Sequence, residues 1–329
     1  MHDFDKLFYE LTNLRVAVVG DVMLDTYLWG KVDRISPEAP VPVVAMHGKE
    51  FRIGGAGNVA LNTVALGAET VLFSVVGDDE EGEKLIDLLQ KALIDTKYII
   101  RSSNRITTNK TRILSRNQQM MRLDAEVTTD IIIEEQDILI NSFQSFVKRY
   151  QPQVVIFEDY NKGLLTPNII EQFIKICKEH DVVTTVDPKR DNFLLYKGVD
   201  IFKPNLKEVK EALNIILKET DEEHLRNIHQ VLHTHLTHKI SLITLSEKGA
   251  FFQKGSASLI VPAHIRNIAD VSGAGDTVIA SASLIYAATK NIRLAASVAN
   301  IAGGLVCEEV GTSAIDKEKL LAECKRLLV

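Results

Sequence analysis

The sequence predicts an α/β fold: a mainly parallel sheet with helices on both faces and a small β lid. Short apolar runs of strand length alternate with helical patterns along most of the 329 residues, the order expected of a covered parallel sheet. Several of these runs end on Asp, Asn, Gly or Ser, where the chain would turn into a loop. Two β-leaning segments break the alternation and read as strands outside the main sheet.

The strands are read in chain order at 14–20 (LRVAVVG), 70–77 (TVLFSVVG), 153–159 (QVVIFED), 182–187 (VVTTVD), 199–205 (VDIFKPN) and 241–246 (SLITLS). Each is a short buried run rich in Val and Ile. Helical spacing fills the gaps at 57–68, 81–93, 133–150, 167–180, 206–218 and 221–236, with two further helices from Thr277 and from Arg293. The segment 32–44 carries three prolines in six residues, Pro37, Pro40 and Pro42. Proline cannot donate to a ladder, so this is an edge strand or a flap. The segment 97–124 has few helix formers and five arginines. With no repeat and no low-complexity linker, the expectation is one domain over 1–329, with lid segments at about 27–46 and 97–124.

Composition sets bounds. The chain is 46% hydrophobic and 25% charged, with a net charge of -6. A nucleic-acid binder would show a basic surplus. The three cysteines, Cys177, Cys307 and Cys324, form no CxxC pair and read as reduced thiols. The N-terminus lacks the basic and apolar regions of a signal peptide, and no apolar run has spanning length. The expectation is a soluble, cytoplasmic protein with no membrane or nucleic-acid partner. Four histidines within 229–238 read as a solvated helix face, with a metal site as the alternative.

Four motifs carry chemistry. DVSGAGDT (270–277) places glycines before an apolar helix, so that backbone N–H groups converge at the positive helix end. Gly273, Ala274 and Gly275 would form an anion hole for a transferring phosphoryl group. Asp276, held ionised by the same field, would take a proton from an attacking hydroxyl; the alternative is an ordinary helix cap. In KPNLKEV (203–209), Asn205 and Glu208 share one face of a starting helix, suited to Mg²⁺ through water or to phosphate, or else to a capping box. RIGGAGNVALN (52–62) fits G-x-G-x-x-A, but that fingerprint must follow a first strand. Here Gly54 and Gly55 are read as allowing close backbone approach to a substrate, with Asn58 donating to its hydroxyls. GDVMLD (20–25) sets Asp21 and Asp25 at a strand end, as acceptors for sugar hydroxyls or as turn residues. There is no Walker A pattern and no protein-kinase HRD or DFG set.

Together GGAGN, NLKE and DVSGAGDT resemble the signatures of the ribokinase/PfkB carbohydrate kinases, in the right order over nearly the whole chain. The resemblance implies ATP-dependent phosphate transfer to a sugar hydroxyl on a ribokinase-like, Rossmann-type sheet. It implies Asp276 as base, Gly273, Ala274 and Gly275 as the anion hole, and Asn205, Leu206, Lys207 and Glu208 in the Mg-ATP region. Thr244, Ser246 and Gly249 fall where the family holds nucleotide, with Ser246 replacing the usual glycine. Asn300 falls at the adenine pocket. A K⁺ site near Asp270 and Ser313 is raised by the family analogy and left open by the sequence.

Longer strings, among them GDVMLDTYLWG, RISPEAPVPVV, LSRNQQMMRLD, EDYNKGLLT and VDPKRDNFLLYKG, are similar to the kinase half of bifunctional heptose-7-phosphate kinase/adenylyltransferases. That implies phosphorylation of D-glycero-D-manno-heptose 7-phosphate at C1. No HxGH-type motif is present, so the expectation is a stand-alone kinase. A substrate phosphate needs cations; Arg112, Arg116, Arg122, Lys162, Lys189 and Arg190 are candidates, with Asp187 beside them. A lid would exclude water during transfer, and its exposed edges would pair two subunits as a homodimer. The competing readings are a PfkB kinase for a fructose phosphate or ribose, a dinucleotide-dependent oxidoreductase using GGAGNVA, and an idle sensor on the same fold.

Overall fold

The computed structural model describes residues 3–115, 118–217 and 219–328. The strands are β1 (Arg15–Gly20), β2 (Val22–Ile35), β3 (Pro42–Gly55), β4 (Glu69–Gly77), β5 (Asp95–Ser102), β6 (Asn109–Ser115), β7 (Gln118–Ala125), β8 (Val154–Glu158), β9 (Val183–Asp187), β10 (Ile201–Phe202), β11 (Ile240–Thr244), β12 (Ala250–Lys254) and β13 (Ala257–Val261). The helices are α1 (Phe4–Glu10), α2 (Ala56–Ala65), α3 (Glu80–Lys91), α4 (Ile133–Tyr150), α5 (Pro167–Glu179), α6 (Leu206–Leu213), α7 (Glu222–Leu236), α8 (Ala274–Thr289), α9 (Ile292–Val306) and α10 (Lys317–Leu327).

Nine strands form one sheet in the order β13-β12-β11-β10-β9-β8-β1-β4-β5. It is parallel from β5 to β11, and an antiparallel hairpin, β12–β13, closes one side. Strand alternation sends Val16 and Val18 into an apolar cluster with α2, α8 and α9, and Ala17 and Val19 into a second cluster with α4, α5 and α7. The sheet is thus covered on both faces, which is why its strands read as near-continuous apolar runs. Stacked Phe143 and Phe173, with ring centroids 3.9 Å apart, tie α4 to α5.

A second sheet has the order β3-β2-β6-β7. The Pro-rich stretch is the tip of its β2–β3 hairpin, with Pro42 opening the edge strand β3, where a missing N–H costs no ladder bond. The sequence expectation is corrected at three points. Residues 95–102 belong to the edge of the large sheet, not to the small one, because β5 pairs in parallel with β4. Within GDVMLD only Asp21 stands at the carboxyl end of β1; β2 starts at Val22 and carries Asp25 inside it. And α6 stops at Leu213, where Asn214 adopts the left-handed conformation at φ 49° that asparagine tolerates at a helix end.

The histidine segment is also corrected. His229 and His238 are buried, and both ring nitrogens that face Ser241 Oγ lie within hydrogen-bond reach, at 2.9 and 2.7 Å. No group of three or more His, Cys, Asp or Glu among the described residues could hold a metal ion. All three cysteines are free and buried. No helix among the described residues is long and apolar enough to cross a membrane.

Candidate active site

The site gathers where the carboxyl ends of β1, β8 and β9 meet the start of α8, under the small sheet. Helix α8 is buried on every side from Asp276 to Tyr286. A helix apolar all round must sit in the core, so its first turn carries Asp276 out of water. Gly273 caps it at φ +79°, and a Cβ there would stand 2.8 Å from Asn58 Nδ2. A side chain at this position would meet both a strained backbone and a clash.

Asp276 is the most enclosed carboxylate of that turn, at 5% exposure. Asn58 Nδ2 donates to its Oδ2 at 2.7 Å, and the Tyr160 hydroxyl donates to its Oδ1 at 3.0 Å. Burial raises its pKa, Asp187 adds to the rise, and the two hydrogen bonds oppose it; the result is a pKa pushed up to about 6. Burial thus raises the proton affinity of this carboxylate and leaves it largely ionised at pH 7. Asn58 is itself fixed, since Asn62 Nδ2 donates to its carbonyl at 2.8 Å and Asn62 Oδ1 accepts from Thr277 and from the Ile315 N–H. Of the proposed anion-hole donors, the Ala274 N–H turns to the Val271 carbonyl at 3.3 Å. The N–H groups of Gly275 and Asp276, in the first helical turn, have no intrahelical acceptor. A Cβ on Gly275 would lie 3.6 Å from Asp187 and 3.8 Å from Lys203.

The sequence-predicted acceptors for sugar hydroxyls divide. Asp21 accepts from the backbone N–H groups of Tyr160, Lys162 and Leu164 at 3.0, 3.1 and 3.2 Å. It holds the turn that delivers Tyr160. Asp25 is buried and paired with Arg112 at 2.5 Å. Gly54 makes room for the chain's own Asp25 carboxylate, 2.6 Å from where a Cβ would be, and Gly55 for the Asp21 carbonyl. These glycines end β3 opposite β2, where both strands pack closely against the chain itself.

A charged network lies beside α8. Lys203 Nζ is 2.7 Å from Asp187, and Lys189 Nζ is 2.8 Å from Glu208 and 3.5 Å from Asp187. Burial disfavours ionised Asp187, but Lys189 and Lys203 outweigh it and hold its pKa below the usual range. Burial disfavours protonated Lys189, but Asp187, Glu158 and Glu208 raise its pKa. Glu158, the register partner of Asp187, is fully buried, and neither of its oxygens has a hydrogen-bond partner; burial first, then Asp187 and Asp276, drive its pKa well up.

Asn205 and Glu208 form the capping box in full: Asn205 Oδ1 accepts from the Glu208 N–H at 2.9 Å and Glu208 Oε2 from the Asn205 N–H at 2.8 Å. Leu206 opens α6, and the exposed Lys207 reaches Glu211 one turn on, at 3.7 Å. Thr244 bridges to Asn205, which brings the 244–249 turn beside the capping box. Ser246 sits at φ 56°, a conformation that explains why glycine would be usual there. Gly249 closes the turn through its carbonyl, which accepts from the Leu245 N–H at 2.8 Å. Asn300 donates to the Pro262 carbonyl at 2.8 Å. Asp270 accepts from Ser272 and from the Gly311 N–H at 2.9 Å, and the buried Ser313 hydroxyl has no partner. Arg52, unnoticed in the sequence, donates to the Val310 and Thr312 carbonyls of the same loop.

The candidate cations are mostly committed. Lys162 pairs with Glu126 at 2.7 Å and Arg122 with Asp124 at 2.8 Å; Arg190 is exposed. Arg116 lies outside the described residues. Sequence reasoning also missed Tyr160, Lys203 and Glu158. All three stand at or just past strand ends, in EDY and KPN, and that position is the signal that points to them.

A buried carboxylate at a glycine-capped helix start, with lysines and carboxylates converging from neighbouring strand ends, is an arrangement suited to phosphoryl transfer. The comparisons agree. The chain belongs to the pfkB family of carbohydrate kinases, whose family model matches residues 13–319; these enzymes transfer phosphate from ATP. It is 40% identical over 325 residues to the bifunctional protein HldE of Desulfatibacillum aliphaticivorans, covering 98% of this chain and 65% of that protein. It is 41% identical over 299 residues to HldE of Aliarcobacter butzleri, covering 91% and 62%. The chain thus spans less than two thirds of these relatives. Phosphofructokinase-2 from Escherichia coli, in complex with potassium, superposes with a TM-score of 0.78 at 18% identity, over 95% of this chain and all of that one. Arabidopsis thaliana ribokinase, complexed with ribose and ATP, gives 0.72 at 18%, over 94% and 98%. These likenesses establish the ribokinase-like fold. The dinucleotide reading fails on topology: GGAGNVA follows β3 of the small sheet, not β1.

Proposed function

We propose that this sugar kinase phosphorylates D-glycero-β-D-manno-heptose 7-phosphate at C1, giving the 1,7-bisphosphate used to make ADP-heptose for lipopolysaccharide. The observation that carries the reaction is Asp276, buried at the start of α8 with a pKa near 6. The observation that favours the sugar is the 36–41% identity to HldE proteins. Another sugar or sugar phosphate, such as fructose 6-phosphate or ribose, is the second reading, since the E. coli and Arabidopsis neighbours share the fold.

In this mechanism Asp276 accepts the proton of the C1 hydroxyl while that oxygen bonds to the γ-phosphorus of ATP. The bond from phosphorus to the β–γ bridging oxygen breaks, and ADP leaves with that electron pair. Asn58 and Tyr160 aim the carboxylate and stabilise its ionised form before the transfer. The first-turn N–H groups of Gly275 and Asp276, with the Gly273 and Ala274 turn that places them, meet the charge on the phosphoryl oxygens. Asn205, Thr244, Ser246, Gly249 and Asn300 border the nucleotide side.

Asp187 Oδ1, which accepts no hydrogen bond and lies 3.5 Å from Lys189, is a hard donor of the kind Mg²⁺ takes. Glu208 would hold the ion through water, and Mg²⁺ would neutralise phosphate charge. Asp270 and the unpartnered Ser313 hydroxyl fit K⁺ in the same sense. The small sheet serves as a lid, and the exposed Met120, Met121 and Leu123 of its edge strand β7 support pairing of two such sheets in a cytoplasmic homodimer. The test is ³¹P NMR of the product. A new anomeric phosphate beside the retained 7-phosphate supports the reading; a product phosphorylated elsewhere overturns it.

A further inference from the structure

Lys110 stands apart from the other cations of the cleft. It lies on β6, directly opposite Asp25 of β2 and Asp124 of β7 in register. Its ammonium sits 5.3 Å over the ring of Tyr160, whose hydroxyl reaches Asp276. Arg112, two residues further on the same face, is taken by Asp25; Lys162 is taken by Glu126 and Lys189 by Glu208. Lys110 is half-buried and forms no ion pair with any described residue. Burial lowers its pKa; Asp25 across the strand pair opposes that, and Lys162 close by lowers it in turn. A half-buried ammonium with no ion pair of its own costs free energy that an arriving anion would offset.

We propose that Lys110 is the anchor for the non-reacting phosphate of the sugar substrate, with Arg112 and Lys162 at its sides. This rests on the sugar-phosphate reading above and assigns the residue that enforces it. The small sheet carries Lys110 to the Tyr160 ring, while Lys189, from just past the end of β9, lies 5.3 Å from the same ring and is already taken by Glu208. An unpaired lysine on this face gives selectivity for a phosphorylated sugar: a neutral sugar leaves the buried ammonium without a partner.

The test compares Lys110→Met and Lys110→Arg with the unaltered protein, each checked for folding by its melting temperature. Heptose 7-phosphate and fructose 6-phosphate are titrated by calorimetry without ATP, and the kinetic constants are measured with whichever sugars are turned over. A charge-assisted hydrogen bond is worth about 10- to 100-fold in affinity. Lys110→Met is therefore expected to weaken sugar-phosphate binding and raise its KM by that factor. KM for ATP should move less than about twofold, since that binding is untouched, and Lys110→Arg should recover part of the loss. A fall in kcat with unchanged sugar-phosphate affinity would place Lys110 on the transferring phosphate and overturn the assignment. An equal loss with unphosphorylated ribose would make its role structural and overturn it too. If the unaltered protein binds no sugar phosphate yet turns over a neutral sugar, the subsite and the heptose reading fall while the kinase remains.

Discussion

Tyr160→Phe isolates the control of the base. The substitution keeps the ring beneath Lys110 and Lys189 and removes only the hydroxyl that donates to Asp276 Oδ1 at 3.0 Å. That bond favours the ionised carboxylate, so its loss raises the pKa. A hydrogen bond to a charged group is worth about 1.5–3 kcal/mol, and one pKa unit is about 1.4 kcal/mol, so the rise is about one to two units. From a starting value of about 6, Asp276 would then titrate between about 7 and 8. At pH 7 the ionised fraction falls from about nine-tenths to between about a half and a tenth. The pH dependence of kcat/KM reads this directly: its acid limb should move up by one to two units, with activity restored above pH 9. Tyr160 stays neutral across that range, because burial and then Asp276 drive its own pKa well above the ordinary phenol value. An acid limb that does not move, or a loss of equal size at every pH, would refute the proposal that Tyr160 acts through the ionisation of Asp276.

Asp276→Asn should cut kcat by about 10²–10⁴, the range for a lost general base, while ATP affinity measured by calorimetry stays near normal. Gly273→Ala forces a Cβ into φ +79° and to within 2.8 Å of Asn58 Nδ2; it should lower stability by about 1–3 kcal/mol in urea unfolding and lower kcat as Asn58 shifts. Buried His229 and His238 have pKa values lowered to about 4 and about 3, by burial first and then by neighbouring histidines. Both are neutral when folded and protonate more readily when unfolded, so stability is lost as pH falls from about 6.5 towards 4. The loss between pH 7 and pH 5 is on the order of 2 kcal/mol for each, and His238→Gln should flatten that dependence in urea titrations.

Much of the fold was legible because the large sheet is buried on both faces. Strands such as Val154–Glu158 and Val183–Asp187 are apolar runs that composition alone exposes, and α4 follows its amphipathic pattern from Ile133 to Tyr150. The small sheet was less legible. Only Asp21 separates β1 from β2, so the change of sheet takes place within a single residue, and Asp25 looks like a strand-end residue when it is interior. The hairpin β12–β13 and helix α10 were missed; α10 is short and polar, with only Leu320 and Cys324 buried.

At the site, the glycines and the carboxylate of DVSGAGDT announced themselves by type and spacing. What they touch did not. Asn58 and Asp276 are 218 positions apart in sequence, and Tyr160 reaches Asp276 only because Asp21 gathers the 160–164 turn. The proton affinity of Asp276 comes from burial, which no local pattern of residues contains.

The most direct measurement of the central claim is ADP release from Mg-ATP with four additions: D-glycero-D-manno-heptose 7-phosphate, fructose 6-phosphate, ribose, and no sugar. The account predicts strong release with the heptose phosphate and background release with the other three. Strong release with ribose or fructose 6-phosphate and none with the heptose phosphate would contradict the assigned substrate. Release with none of them would contradict the account of Asp276 as the base of a sugar kinase.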